Sequence, residues 1–188
     1  MAERELTTKI AFVGAASVGK TTLLNELRGR HRGNPKVGFV DEVGRKFFQE
    51  NPTSEADMFS FGVQARLQDL ILLEEKKVHA TKPEIIICDR SVLDSPVHLR
   101  AHEDYDAAEM LVERVKDWIP TYSSFVLLDA TGVPFKNDKV RIEGVDTRRK
   151  IQGAFLDFFR ENNFPYELLS GTVYERAARV ENILNIAA

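Results

Sequence analysis

Short apolar runs alternate along this chain with stretches of helical period. Residues 9–15, 37–42, 84–89, 124–129 and 166–169 read as strands. The clearest is Glu84-Ile85-Ile86-Ile87-Cys88-Asp89, which is short, unalternating and β-branched, as a strand buried on both faces of a parallel sheet should be. Helical spacing predicts helices over 21–30, 43–49, 54–80, 95–103, 106–118, 147–162 and 173–186. In the longest of these, Ser54 and Asp57 form a capping pair, and Phe59, Val63, Leu67, Leu70, Ile71 and Glu74 recur at helical intervals until Pro83. The β-α alternation implies an α/β fold of three layers, with five parallel strands and helices on both faces. No repeat, linker or low-complexity stretch interrupts it, so a single domain is expected over 1–188.

The first strand runs directly into Gly14-Ala15-Ala16-Ser17-Val18-Gly19-Lys20-Thr21-Thr22, and a helix follows at once. This is a full G-x-x-x-x-G-K-[ST] match in the strand–loop–helix context that gives the pattern its physical meaning. Backbone N–H groups of such a loop turn inward, and the helix N-terminus adds positive partial charge. Lys20 is placed to reach the β- and γ-phosphates, and the Thr21 hydroxyl to bind Mg²⁺. The chain is therefore expected to bind a nucleoside triphosphate, with ATP as phosphoryl donor.

Ligands in an open α/β sheet bind at the carboxyl ends of the strands, so the strand ends outline the site. Strand two ends in Asp41-Glu42 and is followed by Arg45. Strand three ends in Asp89-Arg90-Ser91, with Asp94 close behind, and strand four ends in Asp129. Asp89 sits where an acid at the end of an apolar strand orders Mg²⁺ or accepts a proton from an attacking hydroxyl. Glu42 is the rival general base, and the sequence does not rank the two. Arg45 and Arg90 are placed either to hold an acceptor phosphate or to neutralise the carboxylates beside them. The charged, glycine-containing stretch at about 130–147 has the composition of a closing lid, with Arg141 and Arg148 as its phosphate-facing cations. Phe47, Phe48, Phe59 and Phe61 are candidates for the wall of a base pocket, or for core.

Composition narrows the class. Among 188 residues, 43% are hydrophobic and 29% charged, as in ordinary globular proteins. A net charge of −3 argues against a broad nucleic-acid surface but leaves room for a local basic groove. Cys88 alone permits no internal disulfide and reads as a core thiol, which fits a reducing cytoplasm. The charged N-terminus lacks the apolar stretch of a signal peptide, and no apolar run reaches membrane-spanning length. Four histidines do not make a zinc pattern. His98 and His102, four apart on a helix, read as a solvated face.

The elements GAASVGKTTL, DEVGR, IICDRS and PFKNDKVRIEGVDTRR, in that order, resemble the P-loop kinase domain of the bacterial NAD-biosynthesis regulator, a nicotinamide-riboside kinase. They also resemble the wider group of AAA-type P-loop domains. The likeness extends over most of the chain, and its more specific parts are Glu-x-Gly-Arg after strand two and the Asp138–Gly144 element. It implies ATP-dependent phosphorylation of a nucleoside-like hydroxyl, with Glu42, Arg45, Asp89 and Arg141 at matching active-site positions. It also implies that Gly171-Thr172-Val173 lies against the donor adenine. Strand three departs from that pattern. Asp89-Arg90-Ser91 resembles the corresponding element of deoxynucleoside and thymidylate kinases, which shifts the expected acceptor to a nucleoside, a nucleotide or a modified base in DNA. A nucleotide-dependent ATPase or GTPase switch is the remaining alternative. Asp129-Ala130-Thr131-Gly132 imitates a GTPase D-x-x-G, but the guanine-reading Asn-Lys-x-Asp is absent from the chain.

Overall fold

The computed structural model describes residues 7–130 and 145–186. Five strands, β1 (Thr8–Val13), β2 (Val37–Val40), β3 (Ile85–Asp89), β4 (Ser124–Leu128) and β5 (Tyr166–Leu169), form one parallel sheet in the order β2-β3-β1-β4-β5. The central strands are apolar along their length because both faces are covered: Ile86, Ile87, Phe12, Val13, Val126 and Leu127 are fully buried.

Strand order and handedness together decide where the helices go. From β1 the chain crosses to β2 through α1 (Lys20–Arg30). It then returns in the opposite direction through α2 (Gly44–Glu50), α3 (Glu55–Met58) and α4 (Phe61–Ala80). It continues that way through α5 (Asp94–Ala101) and α6 (Tyr105–Val115) to β4, and through α7 (Val145–Glu161) to β5. Right-handed crossovers put α1 on one face and the helices of the later crossovers, α2 to α7, on the other. The contacts agree: α1 packs with α8 (Val173–Leu184), while α5 packs with α4, α6 and α7.

Two boundaries and one helix face differ from expectation for local reasons. The long helix breaks at Phe59-Ser60, because Ser60 is extended (φ −72°, ψ 150°) and its carbonyl accepts from the Gln64 N–H to start α4 afresh. Pro120 turns the end of the sixth helix into a short 3₁₀ segment at Ile119–Thr121. The inward face of α4 is not the predicted apolar stripe: Gln64, Gln68 and Glu75 are buried beside Ala65, Leu67 and Ile71, whereas Leu70 and Glu74 are only half-buried. Hydrophobic periodicity cannot see a buried polar side chain whose partners come from other elements.

Two packing features hold the layers. Under β4 and β5, Phe125, Phe155 and Phe159 are fully buried, with Phe125 and Phe159 stacked at 4.8 Å. Toward the amino ends of the strands, the Lys9 ammonium pairs with Glu75 at 2.8 Å, both fully buried. Cys88 is buried as expected, and burial pushes its thiol well above the usual range.

Phe159→Ala should cost about 3–5 kcal/mol, since the ring sits in a closed aromatic cluster. Denaturant unfolding monitored by circular dichroism measures it, and a loss below 1 kcal/mol would show that the cluster collapses around the vacancy.

Candidate active site

β1 ends at Val13 and the chain turns through Gly14 (φ +124°), Ser17 (φ +59°) and Gly19 (φ +95°) into α1. A Cβ on Gly14 would meet Leu128 O at 3.2 Å and the Leu127 side chain at 3.3 Å, so the loop lies hard against the end of β4. Ala15, Ala16 and Val18 are buried inside it. α1 has no side-chain cap and no acid in its first turn, which leaves its positive end to an anion. The Lys20 ammonium folds back over the loop and donates to Gly14 O at 2.8 Å and Ala15 O at 2.7 Å. Thr21 and Thr22 lie on the exposed side of the helix start.

Asp89 lies beside this loop because β1 and β3 pair with Phe12 opposite Asp89. The Thr21 hydroxyl donates to Asp89 Oδ2 at 2.5 Å, while Asp89 Oδ1 is buried without a partner among the described residues. Burial raises the Asp89 carboxyl above the ordinary range; Lys20, the Thr21 bond and Arg90 oppose this, and Glu42 adds to it. Asp89 thus senses the phosphate loop on one side and the second strand's acid on the other.

The next residue, Arg90, takes a left-handed backbone (φ +91°) that a long side chain rarely adopts. Such strain costs on the order of 1–3 kcal/mol and tends to gather at functional sites. Its guanidinium is buried between two carboxylates, with Nε 3.4 Å from Glu42 and Nη1 3.0 Å from Asp94. Asp94 also accepts from the Ser91 N–H at 2.8 Å and the Ser91 hydroxyl at 3.0 Å. These three side chains form one end of a cavity whose walls include Phe48, Met58, Phe59, Gln64, Leu67, Ile71 and His98. Gln64 donates through Nε2 to Met58 O at 2.8 Å, and its Oε1 is buried with no partner among the described residues.

The structure brings Glu42, Phe59, Arg90 and Asp94 together around this cavity and sets Asp89 beside Thr21. Asp41 does not line this cavity. Its side chain is 72% exposed and accepts from Arg28 at 2.6 Å, because successive residues leaving a strand point to opposite sides. Arg45 is exposed on α2 and is not among the lining residues. Of the four aromatic candidates, Phe48 and Phe59 wall the cavity. Phe47 is core, and Phe61 packs on a separate apolar cluster between α4, α5 and α6. Of the two histidines, His98 departs from the solvated-face reading, being buried at the cavity, while His102 is exposed and stacks on Phe59 with centroids 3.8 Å apart. Among the described residues no cluster of His, Cys, Asp and Glu makes a metal cage.

Arg148 is buried and donates to Ala130 O at 3.4 Å, beyond the end of β4. Arg141 and the rest of residues 131–144, where the lid is expected, lie outside the described residues. Gly171 (φ +94°) follows β5, Thr172 caps α8 in a reciprocal box with Glu175, and Val173 begins that helix. Sequence reasoning missed Arg176, one turn further on. Its Nη1 donates to Val18 O at 2.8 Å and its Nη2 to Asp129 O at 3.3 Å, so α8 buttresses the phosphate loop. Gln64 was also missed; only its place on the inward face of α4, next to Ala65, could have signalled it.

This sheet order and this glycine loop define a three-layer P-loop NTPase architecture. The sequence matches the family described as an AAA domain over residues 9–176, and the chain belongs to that family. No curated protein matches it. Among solved structures, NadR protein in complex with NAD and AMP-PNP superposes with a TM-score of 0.71 at 16% identity, covering 97% of this chain and 51% of NadR. The chain therefore spans about half the length of NadR. Deoxyadenosine kinase from M. mycoides with bound dATP gives 0.65 at 18% identity, covering 95% of this chain and 99% of that one. Thymidylate kinase from Ehrlichia chaffeensis gives 0.66 at 14%, covering 96% and 99%. At these identities the likeness establishes a shared fold. No helix among the described residues is long and apolar enough to cross a membrane.

Gly14→Ala should destabilise the protein more than Gly19→Ala. Both force a side chain into positive φ, costing about 1–3 kcal/mol, but only at Gly14 does the new Cβ press on a backbone oxygen. Urea unfolding of the two variants reads the difference; equal losses would contradict the close approach.

Proposed function

We propose that the chain is a Mg²⁺-dependent phosphotransferase that moves the γ-phosphoryl group of ATP to a hydroxyl of a nucleoside-like acceptor. The observation that carries this reading is the position of Asp89, bonded to the phosphate loop through Thr21 and electrostatically coupled to Glu42 and Arg90 at the cavity. A site for the triphosphate and a cavity of the right chemistry for an acceptor adjoin at the end of β3, Asp89 facing the first and Arg90 lining the second. The kinase structures that share the fold, with ligands such as AMP-PNP, NR and dATP in their complexes, support the same class of reaction.

The residues fit a magnesium ion. Thr21 Oγ1 and Asp89 offer hard oxygen donors, and the partnerless Asp89 Oδ1 supplies the acceptor atom that such a site needs. Mg²⁺ takes few protein ligands and completes its shell with water and phosphate, so the lack of a larger cage among the described residues is no obstacle. When bound it would neutralise charge on the transferring phosphates. The loop N–H groups and the α1 terminus bind the triphosphate, and Lys20 swings from the loop carbonyls to its β- and γ-oxygens. Arg148 and, on the sequence expectation, Arg141 would supply cationic donors to the transferring phosphates. Gly171, Thr172 and Val173, behind the phosphate loop, border the donor base.

With Asp89 committed to Thr21, Glu42 is the better placed general base, since it lines the cavity and Asp89 does not. Glu42 accepts the acceptor hydroxyl's proton as the phosphoryl group arrives in line. Arg90 and Asp94 orient the acceptor, and Phe48 and Phe59 flank its flat apolar part. Two carboxylates against one guanidinium among the described lining residues favour a neutral hydroxyl over a phosphate as the group that accepts.

ATP consumption should be measured against a panel of nucleosides, nucleoside monophosphates, nicotinamide riboside and hydroxymethylated DNA. One nucleoside-like acceptor should stimulate turnover, Lys20→Ala should abolish it, and Glu42→Gln should lower kcat by about 10²–10⁴. Stimulation by a monophosphate alone overturns the hydroxyl reading, and stimulation by DNA alone moves the acceptor to nucleic acid. Slow turnover indifferent to every acceptor marks a nucleotide switch.

A further inference from the structure

Val92 sits in the turn between β3 and α5, two residues past Arg90, and both of its backbone polar groups are met by side chains from other elements. Its N–H donates to the Tyr122 hydroxyl at 3.0 Å, and its carbonyl accepts from Gln68 Nε2 at 3.0 Å. The same Gln68 nitrogen donates to Leu111 O at 2.9 Å, which ties the turn to α6 as well. The Tyr122 hydroxyl in turn donates to Glu75 Oε1 at 2.5 Å. Glu75 Oε2 accepts from Lys9 Nζ at 2.8 Å and from Trp118 Nε1 at 2.7 Å. Lys9 Nζ also lies 3.8 Å from the centre of the Tyr122 ring. Burial, and then the neighbouring Glu75, pushes the Tyr122 phenol well above its usual range, so it keeps the proton it donates.

Gln64, Gln68, Ile71 and Glu75 fall on one stripe of α4. The stripe meets the cavity at Gln64, the turn at Gln68 and the buried ammonium at Glu75. A polar seam through an otherwise apolar interface is costly, here more so because Gln64 Oε1 and Gln68 Oε1 are buried without a partner among the described residues, but each bond it does make restricts the arrangement of the elements it joins. What it fixes is a turn that needs holding. Arg90 has φ +91°, and the bonds from Ser91 to Asp94 begin and end inside the turn. Tyr122, at the end of the 3₁₀ segment before β4, and Gln68, on α4, tether it to other elements.

We propose that Tyr122 and Gln68 are positioning residues for the acceptor site, clamping Val92 from two sides and thereby holding Arg90 and Asp94 in the orientation the cavity requires. Neither lines the cavity, so both act through the turn. The kinetic half of this inference rests on the phosphotransfer reading; the clamp itself is testable without it.

Tyr122→Phe and Gln68→Met keep shape and remove one hydrogen-bonding group each. In the full chain, amide hydrogen exchange at Val92 should quicken about tenfold in each variant, the effect of losing one of the two hydrogen bonds that hold Val92, with β1 and α8 unchanged. With whichever acceptor supports turnover, the acceptor KM should rise about tenfold while the ATP KM stays put. The double variant should fall short of additivity, because both bonds serve one residue. Phe159→Leu serves as a control for lost stability: it should lower the melting temperature and leave the acceptor KM alone. Unchanged Val92 exchange in both variants overturns the clamp. Quickened exchange with an unchanged acceptor KM overturns the positioning role. If the wild type phosphorylates no acceptor and Val92 exchange still quickens, the clamp stands and the phosphotransfer reading falls.

Discussion

The register between β1 and β3 is the constraint on which the site depends. Phe12 pairs with Asp89, and the Arg90 N–H closes the ladder on Phe12 O at 3.0 Å. This sets the end of β3 level with the start of the glycine loop, so that Asp89 meets the Thr21 hydroxyl. A slip of one residue would turn Asp89 to the opposite face and separate the acid from the loop. The apolar side chains guard against this, since the same slip would move Ile86 and Ile87 out of their fitted places on both faces.

The polar interior serves the same end. A buried ion pair contributes little net stability against an apolar replacement, but breaking it leaves a charge stranded. Lys9 and Glu75 therefore act less as a source of stability than as a fixed point for Tyr122 and Trp118. From that point α4 carries a line of side chains to the opposite edge of the sheet, where Gln64 faces the cavity. The amino-terminal end of the sheet and the chemistry at its carboxyl end are thus joined through one helix and one turn.

Strand positions, the parallel class and the phosphate loop were legible in the sequence because each has a local cause: β-branched apolar runs, their spacing, and glycines at positive φ. The acids at the strand ends were legible as a group. Their division of labour was not, since it depends on which way each side chain leaves its strand: Glu42 inward, Asp41 outward to Arg28. Gln64, Gln68 and Arg176 gave no warning, because their partners are 6, 24 and 158 residues away and lie on other elements or loops. His98 looked like part of a wet helix face because the Phe59 ring packed edge-on against it comes from the break between α3 and α4.

Two adjoining sites meet at the end of β3, where Asp89 is bonded to the phosphate loop through Thr21 and the next residue, Arg90, lines the acceptor cavity. The most direct measurement is a crystal structure with a non-hydrolysable ATP analogue, Mg²⁺ and a nucleoside bound together. Thr21 and Asp89 should stand around the metal, the acceptor between Phe48 and Phe59, and its hydroxyl about 3–3.5 Å from the γ-phosphorus in line with the bond to be broken. An acceptor that displaces the triphosphate, or that binds away from Glu42 and Arg90, would contradict this arrangement.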